Sequence, residues 1–205
     1  MLDLRAVACV RGHRTLFSDL SCSVAAGQML RVRGANGAGK TSLLRMVCGL
    51  LPPTAGEVAW RGQAILGLAE EFGLELLYIG HAAALKDDLS AAENLQLTCL
   101  LGGLAASPAQ IGRALQQAGM GGREHMPVRQ FSQGQRRRVA LARLVLAVDA
   151  SLWVLDEPFN ALDAAACDWL CLLIAGQLAR GGVVVLTSHQ EAGLDRLPGQ
   201  VAVEL

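Results

Sequence analysis

The residues with the clearest chemical potential form a glycine-rich segment early in the chain. Residues 34–41, Gly-Ala-Asn-Gly-Ala-Gly-Lys-Thr, fit the pattern GxxxxGK[ST], which binds phosphate where a strand runs into a helix. The glycines let the backbone fold around an anion and point its N–H groups inward, and the helix adds its positive N-terminus. Lys40 is predicted to reach the β and γ phosphates of a nucleotide, and the Thr41 hydroxyl to coordinate Mg²⁺.

This segment is a candidate nucleotide site, with a glycine-rich turn that binds nothing as the alternative. The chain contains 16 arginines but only two lysines, and one of the two is Lys40. The need for a compact ammonium among phosphates explains a lysine here in a chain that otherwise uses arginine. The candidate phosphate-binding residues are Gly34, Ala35, Asn36, Gly37, Ala38, Gly39, Lys40, Thr41 and Ser42.

Two adjacent carboxylates form the second candidate group. Asp156 and Glu157 directly follow the apolar run at residues 152–155, and ligands gather at the C-terminal ends of strands in parallel sheets. Asp156 is predicted to hold Mg²⁺ through water, together with Thr41, while Glu157 polarises the attacking water as a catalytic base. The alternative is that the two carboxylates only cap a turn.

A second anion site is predicted at a helix start within the segment 131–138, Phe-Ser-Gln-Gly-Gln-Arg-Arg-Arg. Ser132 as a helix N-cap, followed by Gly134, makes another helix N-terminus suited to an anion. The run of arginines at 136–138 has two alternative interpretations, a solvated basic face and a nucleic-acid patch. Apolar residues at helical spacing continue after the run and favour a helix that packs on the protein.

Alternating strands and helices must hold these segments in place. Apolar runs predict buried strands before the candidate sites, which together build a mostly parallel sheet covered by helices on both sides. Turn residues 61–62 predict a hairpin over Gly56–Ile65 in the N-terminal β region. The predicted strands are Leu2–Val10, Gln28–Arg33, Leu76–Gly80, Leu152–Leu155 and Val183–Thr187, and the flanking helices are Lys40–Cys48 and Asp163–Ala179.

The middle of the chain is predicted to be helical. Ser90, Ser107 and Ser132 are each followed three residues later by Glu or Gln, which is the capping-box pattern of a helix start. We therefore predict a single α/β domain over the whole chain, with an N-terminal antiparallel β region and a helical subdomain inserted into the sheet. The α/β core is assigned to residues 1–81 and 151–205, and the helical subdomain to roughly 82–150.

Composition narrows the class of protein. The formal net charge is zero, so the chain lacks the broad basic field of a general nucleic-acid binder. No run reaches about 18 uninterrupted apolar residues, which predicts no membrane-spanning helix, and residues 1–5 show no basic leader, which argues against export. The six cysteines lack CxxC spacing and are expected to be reduced core residues. We expect a cytoplasmic protein.

Taken in chain order, these motifs resemble those of ABC ATPases, a family with a P-loop NTPase fold, over essentially the whole chain. Residues 131–135 resemble the LSGGQ signature, with Phe for Leu and Gln for the first Gly. Residues 160–163, Asn-Ala-Leu-Asp, resemble the D-loop of the family, and His189 follows a predicted strand as the switch histidine does. The resemblance implies an ATPase that uses ATP and Mg²⁺, with Lys40, Glu157 and His189 as catalytic residues.

The resemblance also implies a partner of the same kind. In the family, the phosphate loop of one subunit meets the signature of a second ATP-binding subunit in a head-to-tail dimer, so each ATP lies between two subunits. The signature residues then expected to contact nucleotide are Ser132, Gln133, Gly134 and Gln135.

Two positions depart from the family pattern. Most ABC ATPases place a glutamine that touches Mg²⁺ after the strand predicted at 76–80, where this chain has His81. Three roles are open for His81: weak metal ligation, a hydrogen bond through water, or action only at the subunit contact. The usual adenine-stacking aromatic is missing near the first strand, where Arg11 aligns, and a guanidinium can stack on a base.

One branch of the family matches in more detail. Residues 78–95, together with 14–17, 37–45 and 135–143, resemble ATP-binding subunits of haem exporters that serve cytochrome c maturation. The resemblance implies membrane permease subunits of that complex, a haem chaperone released by ATP hydrolysis, and a peripheral position on the cytoplasmic face of the bacterial inner membrane. The four histidines form no recognised haem signature, so direct haem binding by this subunit is not expected.

Three other functions stay open at this stage. An ABC subunit for another cargo, such as a drug or a small lipid, fits the same motifs. A soluble ABC ATPase that acts on ribosomes or DNA is the second, although such proteins usually carry two ATPase domains or long coiled-coil insertions. A small-molecule kinase is the third, and it leaves the signature at residues 131–135 unexplained.

Overall fold

The computed structural model describes residues 1–189 and 193–205, and its N-terminal part is an antiparallel sheet. Numbered in chain order, its strands are β1 (Leu2–Arg11), β2 (Arg14–Val24), β4 (Ala55–Trp60) and β5 (Gln63–Ala64), arranged as β2-β1-β4-β5. The register of β1 shifts around Ala6. Gly56 approaches this irregular segment so closely that a Cβ atom would lie 2.2 Å from the Ala6 carbonyl oxygen, which excludes any larger residue there.

The second sheet is parallel and has five strands in the order β6-β7-β8-β3-β9. Its strands are β3 (Met29–Arg33), β6 (Leu76–Ile79), β7 (Leu152–Leu155), β8 (Val183–Thr187) and β9 (Gln200–Glu204). Because the strands are parallel, all of their C-terminal ends lie along one edge. The phosphate loop, the carboxylate pair, His81 and the segment with His189 therefore emerge at that edge.

Helices flank this sheet and form an insertion between β6 and β7. The flanking helices are α1 (Lys40–Val47), α2 (Ala69–Glu75) and α7 (Ala164–Ala179). The inserted helices are α3 (Ala91–Leu101), α4 (Pro108–Gln117), α5 (Gln133–Leu141) and α6 (Arg143–Leu146). The insertion has an apolar core of its own, which includes Leu95, Leu115 and Val139.

The predicted helix starts of the insertion are confirmed. The hydroxyls of Ser90, Ser107 and Ser132 each accept the backbone N–H of the residue three positions later, whose own side chain accepts the N–H of the serine. Each serine thereby satisfies N–H groups that have no partner within the helix.

Two apolar cores cover the opposite faces of the parallel sheet. Leu152 and Val154 of β7 belong to one core, and Trp153 and Leu155 belong to the other. Successive side chains of a strand point to opposite faces, and all four of these are fully buried. Burial on both faces explains why this strand is an uninterrupted apolar run in the sequence.

The predicted fold class is confirmed: a parallel sheet, an N-terminal antiparallel sheet and a helical insertion. Several ends differ by one residue, since Asp163 is the N-cap of α7 and Cys48 the C-cap of α1. Three elements were not predicted, namely β2, α2 and β9, and the division of the chain at residues 82 and 150 stays a prediction. Over the described residues, no helix has the length and apolarity that crossing a membrane requires.

The parallel sheet depends on the packing of Trp153. Its side chain is fully buried, so Trp153→Ala should lower the free energy of unfolding by about 3–5 kcal/mol through the cavity it leaves. Trp153→Phe should cost much less, because the indole N–H has no hydrogen-bond partner within the described part of the chain and most of the ring volume remains. Urea denaturation measures both variants, and equal losses would contradict this account.

Candidate nucleotide-binding site

A cleft of about 580 Å³ lies at the C-terminal edge of the parallel sheet. Segments from four strands and from the N-terminal sheet meet there, which brings the predicted phosphate loop, carboxylates and histidines together. The cleft is lined by Leu16, Asn36, Gly37, Gly39, Lys40, Thr41, Ser42, His81, Asp156, Glu157, Asn160 and His189.

The phosphate loop presents the free start of α1 to this cleft. Gly39 is the N-cap residue with φ at 113°, no side chain caps the helix, and its first turn has no acidic residue. A Cβ atom on Gly39 would lie 3.0 Å from the Phe17 ring, so conformation and space both favour glycine. The first N–H groups of α1 are available to an anion, and the helix dipole favours negative charge there.

Lys40 is held over its own loop. Its ammonium donates to the carbonyl oxygens of Gly34 at 2.7 Å and Ala35 at 3.2 Å, and lies 3.3 Å from Nε2 of His189. The ammonium is therefore already positioned at the mouth of the loop by main-chain atoms. A phosphate group in the cleft would meet this charge without a large movement of the side chain.

Asp156 is the most buried charged group at the cleft, at 2% exposure. One carboxylate oxygen accepts the Thr41 hydroxyl at 2.9 Å and the other accepts the Thr187 hydroxyl at 2.8 Å. Thr41 and Asp156 thus offer adjacent oxygen ligands of the kind that Mg²⁺ prefers. In the described part of the chain, no group of three or more His, Cys, Asp or Glu side chains could hold a metal.

Glu157 has an unusual backbone and an unsatisfied carboxylate oxygen. Its φ is 50°, a left-handed conformation that is strained for a residue other than glycine and typical of functional sites. Oε2 accepts the backbone N–H of His189 at 3.3 Å, whereas the buried Oε1 has no hydrogen-bond partner among the described residues and lies 3.4 Å from the His189 ring. Oε1 is therefore a buried carboxylate oxygen beside the His189 ring whose hydrogen-bonding capacity is unused among the described residues.

Thr187 supports both carboxylate residues and was missed by the sequence analysis. Its fully buried hydroxyl donates to Asp156 and accepts the backbone N–H of Glu157 at 2.8 Å. The signal was present, because Thr187 ends a predicted strand on the edge where the candidate residues gather. Asn160, which also lines the cleft, is the first residue of the segment that resembles the D-loop, whereas Leu16, another lining residue, had no signal as a site residue.

The remaining predicted residues occupy three different places. His81 is exposed and lines the cleft, and its role there stays a prediction. Arg11 is exposed and does not line the cleft. Leu16 of the N-terminal sheet lines it instead. Ala35 and Ala38 belong to the phosphate loop without lining the cleft, and Gly34 lines a small adjoining cavity.

The signature residues lie outside this cleft, at the start of α5. Ser132 and Gln133 are exposed, and the Ser132 hydroxyl caps the helix. A Cβ atom on Gly134 would lie 2.4 Å from the carbonyl oxygen of Ala161. The absence of a side chain at position 134 thus lets α5 pack directly on the loop that follows the carboxylates, and it leaves the helix start facing outward.

Comparison with known proteins agrees with this geometry. A family model described as ABC transporter matches residues 17–160. The chain is 48% identical to a cytochrome c biogenesis ATP-binding export protein CcmA of Dechloromonas aromatica, with 95% of each chain covered. It is 51% identical to the CcmA protein of Aromatoleum aromaticum, covering 94% of this chain and 90% of that one.

The chain belongs to the ABC transporter family, in its cytochrome c biogenesis branch. It is accordingly an ATP-binding subunit and an ATPase of the ABC type. A solved structure described as the dimeric, post-hydrolysis state of the cassette MJ0796, bound to ADP and Pi, matches with a TM-score of 0.82. That match covers 100% of this chain and 96% of the other at 21% identity, and it concerns the fold alone.

Thr187 offers a test of the support beneath the two carboxylates. Thr187→Val preserves the shape of the side chain but leaves a carboxylate oxygen and a buried N–H without their partner, so the free energy of unfolding should fall by about 1–3 kcal/mol. The ATPase kcat should also fall, because Asp156 and Glu157 lose their alignment, whereas Thr187→Ser should keep most of the activity. Steady-state ATPase assays and urea denaturation measure both effects, and equal kcat in the two variants would refute the role of the hydroxyl.

Proposed function

We propose that this chain hydrolyses Mg-ATP for a membrane complex of haem export and cytochrome c maturation. The observation that carries the proposal is the convergence of Lys40, Asp156, Glu157 and His189 on one cleft at the sheet edge. The identity of the complex rests on relatives named cytochrome c biogenesis ATP-binding export proteins, which match nearly the whole chain.

In this proposal the phosphate loop, residues 34–42, holds the nucleotide. Backbone N–H groups and the start of α1 bind the phosphates, and Lys40 exchanges its contacts with Gly34 and Ala35 for phosphate oxygens. Thr41 and Asp156 would hold Mg²⁺, which neutralises phosphate charge when bound. His81 has an exposed imidazole at the cleft, and we assign it a hydrogen bond through water, because nitrogen is a poor ligand for Mg²⁺.

Glu157 is proposed to act on the attacking water. Its Oε1, which has no hydrogen-bond partner in the described part of the chain, would accept a hydrogen bond from that water. The carboxylate then either orients the water or also removes its proton as the bond to phosphorus forms. His189 lies beside both Glu157 and Lys40 and is assigned to the γ-phosphate. Positioning and charge stabilisation would supply most of the catalysis.

The working unit is proposed to be a head-to-tail dimer with a second ATP-binding subunit. The exposed start of α5 lies outside the cleft of its own chain, so Ser132, Gln133, Gly134 and Gln135 would contact the ATP of the partner subunit. ATP binding then closes the dimer and hydrolysis reopens it. We propose that this movement is passed to membrane permease subunits and drives release of a haem chaperone.

The cellular setting follows from that assembly. The chain would be peripheral, on the cytoplasmic face of the bacterial inner membrane, where it docks on the permease. We propose no nucleic-acid partner, since the net charge is zero, and no direct contact with haem. Another cargo, such as a drug or a small lipid, is the second candidate, because the ATPase geometry is the same for either.

Glu157→Gln tests the base assignment. The amide has the shape of the carboxylate but cannot accept the proton, so ATP binding should persist while kcat falls roughly 10²- to 10⁴-fold. Glu57→Gln is the matched control, because Glu57 is half-exposed on β4, away from the cleft lining, and its ion pair is with Arg5. Fluorescent nucleotide titration and phosphate release measure binding and turnover. Wild-type turnover by Glu157→Gln would remove Glu157 from the mechanism.

A pull-down tests the cargo. The tagged chain is recovered from detergent-solubilised membranes, with partners identified by mass spectrometry and haem followed by absorbance. Co-purification of a cytochrome-maturation permease and a haem-loaded chaperone, whose release fails with Glu157→Gln, is the expected result. Recovery of an unrelated permease would leave the proposed ATPase mechanism intact but contradict the proposed cargo. Absence of any membrane partner would favour a soluble ABC ATPase.

A further inference from the structure

Three consecutive arginines of α5 connect this helix to three different segments. Arg136 pairs with Asp87 at 2.6 Å, and Arg138 pairs with both oxygens of Asp163 at 2.6 Å. Arg137 points to the interior and is 4% exposed. It has no carboxylate partner among the described residues, although it is a buried charge.

Arg137 instead binds main-chain carbonyl oxygens. Nη2 donates to the carbonyls of Asp156 at 2.7 Å and Glu157 at 2.9 Å, and Nε donates to that of Pro158 at 3.3 Å. Nη1 donates to the carbonyls of Gly80 at 2.8 Å and His81 at 3.3 Å. One guanidinium thus spans the segment that carries Glu157 and the end of β6.

This arrangement is energetically demanding and geometrically specific. Burial lowers the pKa of the Arg137 guanidinium, while the nearby Asp156 and Glu157 carboxylates act in the opposite direction. The carbonyl dipoles replace the water that the charge has lost. A planar fork of five N–H donors can serve five acceptors at once, whereas the ammonium of lysine has three donors and a different shape.

The position of Arg137 in the helix gives these contacts a second consequence. Arg137 lies within the same short helix as Ser132 and Gly134, at whose start the signature is exposed. Glu157 serves the ATP of its own chain in the proposed function, whereas the signature serves the ATP of the partner. The guanidinium therefore joins, through one rigid helix, a group of one ATP site to a group of the other.

We propose that Arg137 is a positioning residue that couples the two ATP sites of the dimer. It fixes the left-handed backbone of Glu157 and at the same time fixes the orientation of the signature helix against it. The proposal rests on the proposed function, because it requires the head-to-tail dimer. It differs from simple support of Glu157, which would affect hydrolysis alone.

The test uses the purified full chain with Arg137→Gln, Arg137→Lys and the control Arg136→Gln, which removes a partly exposed ion pair of the same helix. Arg137→Gln should lower the ATPase kcat roughly 10- to 100-fold, as expected for a small misplacement of reacting groups, with KM within about twofold of the wild type. Arg137→Lys should restore only part of this loss, and Arg136→Gln should retain the wild-type kcat. Thermal unfolding and nucleotide binding report whether each variant is folded.

A second measurement separates coupling from local support. ATP-dependent dimerisation is followed by light scattering in Glu157→Gln chains, with and without Arg137→Gln. Coupling predicts that the double variant dimerises at least about tenfold more weakly, although its phosphate loop is intact. The proposal would be overturned by unchanged dimerisation of the double variant or by an unchanged kcat in Arg137→Gln. It would also be overturned if Arg137→Lys restored the full kcat, or if unfolded protein explained the loss of kcat. If Glu157→Gln alone forms no ATP-dependent dimer, the proposed dimer itself fails, and the coupling fails with it.

Discussion

The buried carboxylate of Asp156 is the group on which the geometry of the cleft depends. Parallel pairing brings the ends of β3, β7 and β8 to one edge, but it does not fix the loops that leave them. The two oxygens of Asp156 fix these loops, because one accepts a hydrogen bond from Thr41 at the start of α1 and the other accepts one from Thr187 at the end of β8. Two neutral hydroxyls offset only part of the desolvation of a carboxylate. The charge is therefore well placed to favour a cation beside Thr41.

The segment after β7, which carries Asp156 and Glu157, is held in its conformation by contacts from other parts of the chain. Glu157 and Ala161 both have positive φ, at 50° and 62°, which costs free energy that neighbouring contacts must supply. Thr187 and Arg137 bind the main chain around Glu157, and Gly134 allows α5 to pack against Ala161. The shape of the segment at residues 156–161 is thus imposed by contacts from β8 and from the helical insertion.

Much of this arrangement could be predicted from the sequence, because the signals were local. The phosphate loop, the strand before Asp156 and the three capping boxes each depend on residue types within a few positions. The strands β2 and β9 gave weaker signals, since both lie at sheet edges and many of their residues are exposed. The interactions of Thr187 and Arg137 could not be predicted, because their partners are 19 to 57 residues away in the chain.

Partners distant in the sequence determine how the three arginines at 136–138 are used. In the sequence a basic surface and a nucleic-acid patch were open as alternatives, but Asp87, Asp163 and six main-chain carbonyl groups bind the three guanidinium groups. The charges of Arg136 and Arg138 are therefore paired with carboxylates, and Arg137 is buried in the interior, so none of the three is presented freely to an anion at the start of α5. What remains is a helix N-terminus, which contributes only about 0.3–1 kcal/mol toward a negative group at an exposed site. Such a site is too weak to hold ATP alone, which supports the proposed dimer, in which the signature acts on a nucleotide that the phosphate loop of the partner subunit already binds and dimerisation depends on ATP.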